Sequence, residues 1–366
     1  MTKIVFLCGA KDFHAMDKVR LISNKLGQSR VVVLTDTISG EGQKSKLIVG
    51  DRVYQLISID KLTLDTTTKF SNTWRNVVKF LILPLQVQKV KNFYAKNTDC
   101  IYHALPLYYM LLCYYSRVPY IGTPQASEVL VRPQASKIYS YFAKKAIGGA
   151  NVILVDSVKM QTAVQKLFDV KTVVLKNGFN TTYLMSLPVT IRRANIVSIR
   201  AAYPLYNIDK IIESRNQVRE AAPPPLRFIF PAQDENYLTA LKKQSSADDL
   251  FVGRLEKDEL YQLLTSTLLV VSIPSSDSSP RSVYESIFAG AAVATLKQDY
   301  YNELPECMKQ RIILVDLEDK YWFGQAVIEA KRITQSNYAP SREALEMCDE
   351  NFITNKIIQE IYKIKN

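Results

Sequence analysis

Between Val270 and Ala291 the chain reads VVSIPSSDSSPRSVYESIFAGA, and here its residue types come closest to a working site. A continuous apolar run ends in a serine-rich turn holding Asp277, and Pro280 then opens a helix that carries Arg281 and Glu285. Serine followed by proline is favourable helix-start chemistry. The backbone N–H groups from Ser279 through Ser282 to Val283, Pro280 having none, would point out of that helix end and suit an anion such as a diphosphate. Arg281 adds a positive charge, and Gly290 lets the helix end close to the next strand. The same residues also fit an ordinary strand–turn–helix with solvated Ser and Asp side chains. The distinguishing feature of the stretch is the spacing of its two carboxylates, Asp277 and Glu285.

Elsewhere, candidate reactive groups are sparse. His14 falls just after the first strand and His103 near the end of the fourth, at the strand tips where parallel α/β sheets bind ligands; a lone histidine is as often a core residue. Gly9 stands alone after the first strand, with no G-x-G-x-x-G or G-x-x-x-x-G-K-[ST] run, which argues against a dinucleotide oxidoreductase or a P-loop enzyme. Without a DxD pair or a histidine or cysteine cluster, no bound metal or other cofactor is expected.

Positioning these residues requires a sheet. Short β-branched and aromatic runs predict strands at 3–8, 30–35, 52–57, 100–105, 119–123, 152–155 and 172–175, then at 195–199, 228–231, 250–252, 268–273, 292–296 and 312–315. Several (VVVL, VILV, TVVL) are almost continuously apolar, as parallel strands covered on both faces are. Helical periodicity between them, as at 259–266 and 282–289, gives α/β alternation throughout. Thirteen strands are too many for one small sheet, so the expected architecture is two tandem Rossmann-like doubly wound domains with a cleft between them. The first is expected over 1–185, the second over 190–348, and a C-terminal helix over 349–366 packs back on the first. The boundary falls within Thr181–Arg193, and Pro223-Pro224-Pro225 is read as a helix stop inside the second domain.

A chain of 366 residues with 47% hydrophobic and 22% charged residues is that of a folded, two-domain protein. No uncharged apolar run is long enough to span a bilayer, and the N-terminus reads as a strand rather than a signal peptide. Five cysteines without a CxxC pair read as thiols in a reducing compartment, the cytoplasm. Residues 1–190 hold 25 Lys and Arg against 11 Asp and Glu, the remainder 22 against 24. A basic half suggests an anionic partner: nucleic acid, a membrane surface or a phosphorylated substrate. With the tyrosines dispersed and no recognition motif, nucleic acid is not expected. In the segment 72–96, Trp74, Phe80, Leu81, Leu83 and Phe93 mix with Arg75, Lys79, Lys89, Lys91 and Lys96, which suits either an anionic membrane interface or a core helix with solvated lysines.

The 276–290 stretch resembles the signature of the family-4 retaining glycosyltransferases, which have the glycosyltransferase-B fold. One branch of that family reads S-D-G-x-P-x-x-x-x-E before a small-residue helix end. Ser276-Asp277-Ser278-Ser279-Pro280 and Glu285 match it except at Ser278, and Ala289-Gly290 closes it. Other segments agree in order: Lys176–Asn180 with the turn closing the first domain, Ser198-Ile199-Arg200 with the opening of the second, and Leu250–Gly253 with the strand before the nucleobase turn. Asp99–His103 is similar to a D-x-I-x-x-H strand end whose histidine arrives one residue early, and Thr123–Val131 stands where relatives have a G-S-D-x-L turn. The resemblance implies that Asp277 meets the donor sugar and Glu285 the nucleotide ribose. It places the helix start and Arg200 on the diphosphate, and His103 on the sugar, with Glu128 positioning the acceptor. Two features depart from the pattern. The lysine usual after the arginine is absent, Leu205 and Tyr206 standing there with Lys210 or Arg281 as substitutes, and the N-terminal glycine pair is reduced to Gly9-Ala10.

By this resemblance the chain is expected to be a metal-independent retaining transferase. It would move a sugar from a UDP- or GDP-linked donor to a glycan or lipid-linked glycan acceptor, in polysaccharide or lipopolysaccharide assembly, with contact on the inner face of a membrane. The alternatives are a non-catalytic glycan-assembly scaffold and a nucleotide-sugar epimerase or hydrolase of the same fold.

Overall fold

The computed structural model describes residues 2–10, 12–36, 53–57, 71–189, 193–218 and 225–364. Each of the thirteen expected apolar runs forms a strand. The chain divides into two units, Met1–Lys176 with Ile353–Asn366, and Asn177–Phe352.

The first unit is built on a wholly parallel sheet of β1 (Ile4–Leu7), β2 (Val31–Thr35), β3 (Val53–Gln55), β4 (Ile101–Ala104), β5 (Tyr120–Gly122), β6 (Val152–Val155) and β7 (Thr172–Val174). Its spatial order is β3-β2-β1-β4-β5-β6-β7. Successive side chains of a strand point to opposite faces, and both faces here are covered. Val5 and Leu7 enter one core with Met110, Leu112 and Ile147, while Ile4 and Phe6 enter another with Val19 and Ile22. That second core is completed by Ile353, Ile357, Ile358 and Tyr362 from the end of the chain, where the helix Glu350–Lys356 gives way to a π-helical turn, Ile357–Ile361.

The second unit repeats the plan with β8 (Asn195–Ser198), β9 (Leu226–Ile229), β10 (Leu250–Gly253), β11 (Thr267–Ser272), β12 (Ala292–Thr295) and β13 (Ile312–Leu314), ordered β10-β9-β8-β11-β12-β13. Val197 and Val270 face one core, and Ile196, Leu269 and Val271 the other. In each sheet the strand order reverses once, between β1 and β4 and between β8 and β11. At such a switch point the flanking connections leave in opposite directions and open a crevice beyond the carboxyl ends of the strands.

The division between the units falls after Lys176, ahead of the expected 181–193 stretch. Phe179 and Leu184 are buried in the second unit's core, the Phe179 ring lies edge-on to Phe288 at 5.3 Å, and Thr181 Oγ1 donates to Asp349 Oδ2 at 2.5 Å. These contacts assign 177–186 to the second unit, and the return to the first comes at Ile353 rather than 349. The strand expected at 228–231 runs instead over Leu226–Ile229, since Pro231 has no amide to offer a ladder. Glu220, Pro223, Pro224 and residues 190–192 lie outside the described residues.

One buried ion pair holds the β8–β9–β10 edge together. Arg215 reaches Asp249 with both terminal nitrogens, at 2.9 and 2.5 Å, and both side chains are fully buried. Asp249 also accepts from the Leu226 and Ser246 amides, each at 2.9 Å.

Candidate functional site

The second unit's switch point gathers the expected charged residues. Arg200 stands just past β8 and Asp277 past β11, so strands adjacent in the sheet bring together residues 77 positions apart in sequence. Arg200 Nη2 lies 2.8 Å from Asp277 Oδ2, and its Nε donates to Ser272 Oγ at 2.7 Å. The guanidinium also sits over the Tyr206 ring, 5.7 Å from its centre. Tyr206, which stands where the resemblance leads one to expect a lysine, thus supplies a π-face that holds the neighbouring cation. The loop carrying Tyr206 is pinned to the loop carrying Asp277. Asn207, in the left-handed conformation at φ 51°, donates from Nδ2 to the Ile273 carbonyl at 2.8 Å and to Ser275 Oγ at 3.1 Å. The Ser275 amide in turn donates to the Leu205 carbonyl at 2.9 Å.

Beyond Asp277 comes the helix Arg281–Phe288, with Pro280 at its N-cap. The amides of Val283 and Tyr284 both donate to the Pro280 carbonyl. Of the expected N–H cradle, Val283 is therefore used by the helix itself, and Arg281 and Ser282 hold the amides that precede its ladder. Glu285 is buried one turn in, where its Oε1 accepts from Tyr261 Oη at 2.8 Å and from Arg281 Nε at 3.1 Å. Burial and the neighbouring carboxylate push the Tyr261 phenol well above its ordinary range, so it remains a donor. The helix ends at Gly290, whose φ of +84° suits a residue without a Cβ; a Cβ there would stand 2.6 Å from Arg193 Nη2. That nitrogen donates to the Ala289 carbonyl at 2.8 Å, while Nη1 donates to the Thr267 carbonyl at 3.1 Å. The helix that carries Glu285 is thereby tied to the foot of β11.

The remaining expected residues divide. Gly253 ends β10 at φ +80°, with nothing within 4 Å of where a Cβ would stand, so backbone conformation rather than crowding favours glycine there. Lys210 lies on the helix Ile208–Arg215 and pairs with Glu213 at 2.8 Å, a bond that raises its pKa above the ordinary lysine range. That pair is exposed, whereas Arg281, paired with the buried Glu285, stands in the helix start.

In the first unit, His103 is fully buried. Its Nδ1 lies 2.7 Å from Tyr362 Oη and its Nε2 2.8 Å from Thr123 Oγ1, so no ring nitrogen is left for a sugar hydroxyl. Burial, and then the positive Lys18 nearby, pull its pKa well below the ordinary histidine range and keep the ring neutral. His103 is here a residue of the core, holding the end of the chain to the tip of β5. Glu128 is likewise buried and structural: its Oε2 accepts from the Gln125 amide at 2.9 Å and the Leu107 amide at 3.0 Å, capping two helix starts. Gly9 is buried in the turn after β1, where its carbonyl accepts from the Asp12 amide at 2.9 Å. His14 is exposed in the first turn of the helix Phe13–Leu26.

Sequence reasoning missed Ser272, Tyr261 and Asn207. Ser272 carries a readable signal, a hydroxyl closing an otherwise apolar strand at the ligand-binding edge of its sheet. Tyr261 carries none, because a phenol on a helix's buried face looks like packing until its partner is known. Among the described residues, no three His, Cys, Asp or Glu side chains come together as metal ligands would.

No protein-family model matches the chain, and no curated protein matches it in sequence. Solved structures do match over its full length. HepE of Anabaena, crystallised with UDP and glucose, superposes with a TM-score of 0.74 at 15% identity, covering 100% of both chains. A glycosyltransferase from Rickettsia africae gives 0.69 at 12% identity, over 100% of this chain and 99% of that one. The lipopolysaccharide outer core galactosyltransferase WaaB, in its apo form, gives 0.67 at 10% identity over 99% of each. At such identities the likeness is one of fold, and the fold is the two-sheet glycosyltransferase-B architecture.

Proposed function

We propose that this protein is a retaining glycosyltransferase of the family-4 type that takes a sugar from a UDP- or GDP-linked donor. The observation that carries the reading is the Arg200–Asp277 pair at the switch point of the second sheet, on the same β11–helix connection as a helix start bearing Arg281 and Glu285. The HepE structure with UDP and glucose supports a nucleotide sugar as the donor class.

The helix-start amides of Arg281 and Ser282, with the Arg200 guanidinium, take the diphosphate. Glu285, oriented by Tyr261 and Arg281 through one oxygen, turns the other to the ribose hydroxyls. Asp277 takes hydroxyls of the donor sugar and, through Arg200, couples sugar and phosphate. Departure of a nucleoside diphosphate leaves charge on the phosphate oxygens, and preorganised cations and N–H groups aimed there lower the barrier without a metal. The acceptor oxygen bonds to the anomeric carbon on the face from which the phosphate oxygen departs, and its proton passes to that departing oxygen. Configuration is retained and no protein nucleophile is required. The acceptor is a glycan or a lipid-linked glycan, and the protein works at the membrane periphery; no described helix is long and apolar enough to cross a bilayer.

Incubation of the chain with UDP- and GDP-linked sugars and glycan acceptors, in EDTA, tests this directly. The expected result is nucleoside diphosphate release that requires an acceptor, survives chelation and gives a product of retained configuration. Equal release without acceptor would make the protein a hydrolase, and no release with any donor would favour a scaffold.

A further inference from the structure

In the first unit, the helix Ser71–Tyr94 turns apolar side chains inward, where Val78, Val87 and Val90 are buried, and a second apolar set outward. The side chains it turns to solvent include Trp74, Val77, Phe80, Leu81 and Leu85, with Phe80, Leu81 and Leu85 exposed by 61, 68 and 59%. The spacing 74, 77, 81 and 85 is that of one helix face. Its buried side meanwhile includes Gln86, whose amide bonds the backbone of Ile57 through both Nε2 and Oε1. The apolar face continues onto a second helix, Lys137–Gly148, since the Phe80 and Phe142 rings meet edge-on at 6.1 Å. There Ile138 and Tyr141 point outward, Ile138 by 74%. Large side chains in such a row are far more than the scattered apolar residues a protein surface ordinarily shows.

The charges these two helices carry are of one sign. The two helices together contain seven Lys or Arg and no Asp or Glu. Lys79 lies over the Tyr108 ring at 4.1 Å and Lys145 over the Tyr141 ring at 5.0 Å, each ammonium held beside an aromatic plane.

We infer that this face is a docking surface for an anionic lipid bilayer. Phe80, Leu81, Leu85 and Ile138 enter the headgroup–acyl boundary, and the lysines flanking them meet the anionic headgroups. A second copy of the chain is the poorer occupant, because it would bring an equally cationic face against this one. A nucleic acid would satisfy the lysines but leave the aliphatic row without a purpose. The inference rests on the transferase reading only for its use, which is to hold the protein where a lipid-linked acceptor lies.

The test is cosedimentation of the full chain, without donor or acceptor, with vesicles of phosphatidylcholine alone and of phosphatidylcholine and phosphatidylglycerol in equal parts. Binding is expected to the mixed vesicles and to weaken with salt, with little to the neutral ones. The double variant Leu81→Gln/Leu85→Gln should lower the partition coefficient about tenfold or more, and Lys137→Glu/Lys144→Glu about tenfold. Because these side chains are exposed, the melting temperature and nucleotide binding of both variants should match the parent. Equal binding to neutral and anionic vesicles, no binding to either, or undiminished binding by the leucine variant would each overturn the inference. So would a parent dimer that the leucine variant abolishes while vesicle binding stays unchanged. None of these outcomes bears on the donor site, which nucleotide binding reads separately.

Discussion

Replacement of Arg200 by alanine is expected to lower turnover of the nucleotide sugar by about 10²–10³-fold, the scale found when one preorganised donor to a developing oxyanion is removed. Arg200 makes three kinds of contact from one planar group: Nη2 with Asp277, Nε with Ser272, and its face on the Tyr206 ring. These fix the guanidinium before any ligand arrives, so little reorganisation is left for the reaction step. At 12 and 17% side-chain exposure the pair is largely buried, so the melting temperature of the variant is measured beside its rate. Arg200→Lys separates charge from geometry: an ammonium keeps the charge but cannot reach Ser272 and Asp277 in a fork, and should recover only part of the rate. Steady-state assays of nucleoside diphosphate release decide the matter, and turnover of Arg200→Ala within about twofold of the parent would remove Arg200 from the reaction.

The second large effect is on folding. Asp249→Ala is expected to destabilise the second unit by about 3–5 kcal/mol, because it removes the carboxylate that balances a fully buried guanidinium. It also removes the acceptor of the Leu226 and Ser246 amides, and with it the start of β9. In a domain of this size that corresponds to a drop of roughly 10 °C in melting temperature. The companion Arg215→Met/Asp249→Leu, which removes both charges and keeps apolar volume, should regain much of the loss, since well-packed apolar residues often replace a buried pair without penalty. Thermal unfolding of both variants checks this. A fall under about 1 kcal/mol for Asp249→Ala would mean that water or another group reaches Arg215.

The strands were legible because parallel sheets buried on both faces demand near-continuous apolar runs, and few other segments of this chain have them. The region around Asp277, Pro280 and Glu285 was legible because helix starts have local rules. Roles that depend on distant partners were not. His103 looks the same in sequence whether it awaits a ligand or is closed by Tyr362, and that tyrosine comes 259 residues later. Glu128 looks like a free carboxylate until the Leu107 amide is seen donating to it. Lys210 and Arg281 are interchangeable in sequence as substitutes for a missing lysine; each pairs with a glutamate, and only the place of Arg281 in the helix start separates them. The boundary is poorly legible in sequence because Thr181–Ser186 comes directly after a strand-turn, whereas its hydrophobic residues pack into the second core.

The most direct test of the central claim is a thermal-shift titration with UDP, GDP, ADP and CDP, run on the parent and on Glu285→Ala. One nucleotide should stabilise the parent selectively. At about 100 times its dissociation constant the gain is roughly 2.7 kcal/mol, which is plainly measurable, and most of it should disappear in the variant. If none of the four shifts the parent, or if Glu285→Ala responds as the parent does, the donor site is not where Arg200, Asp277 and Glu285 stand.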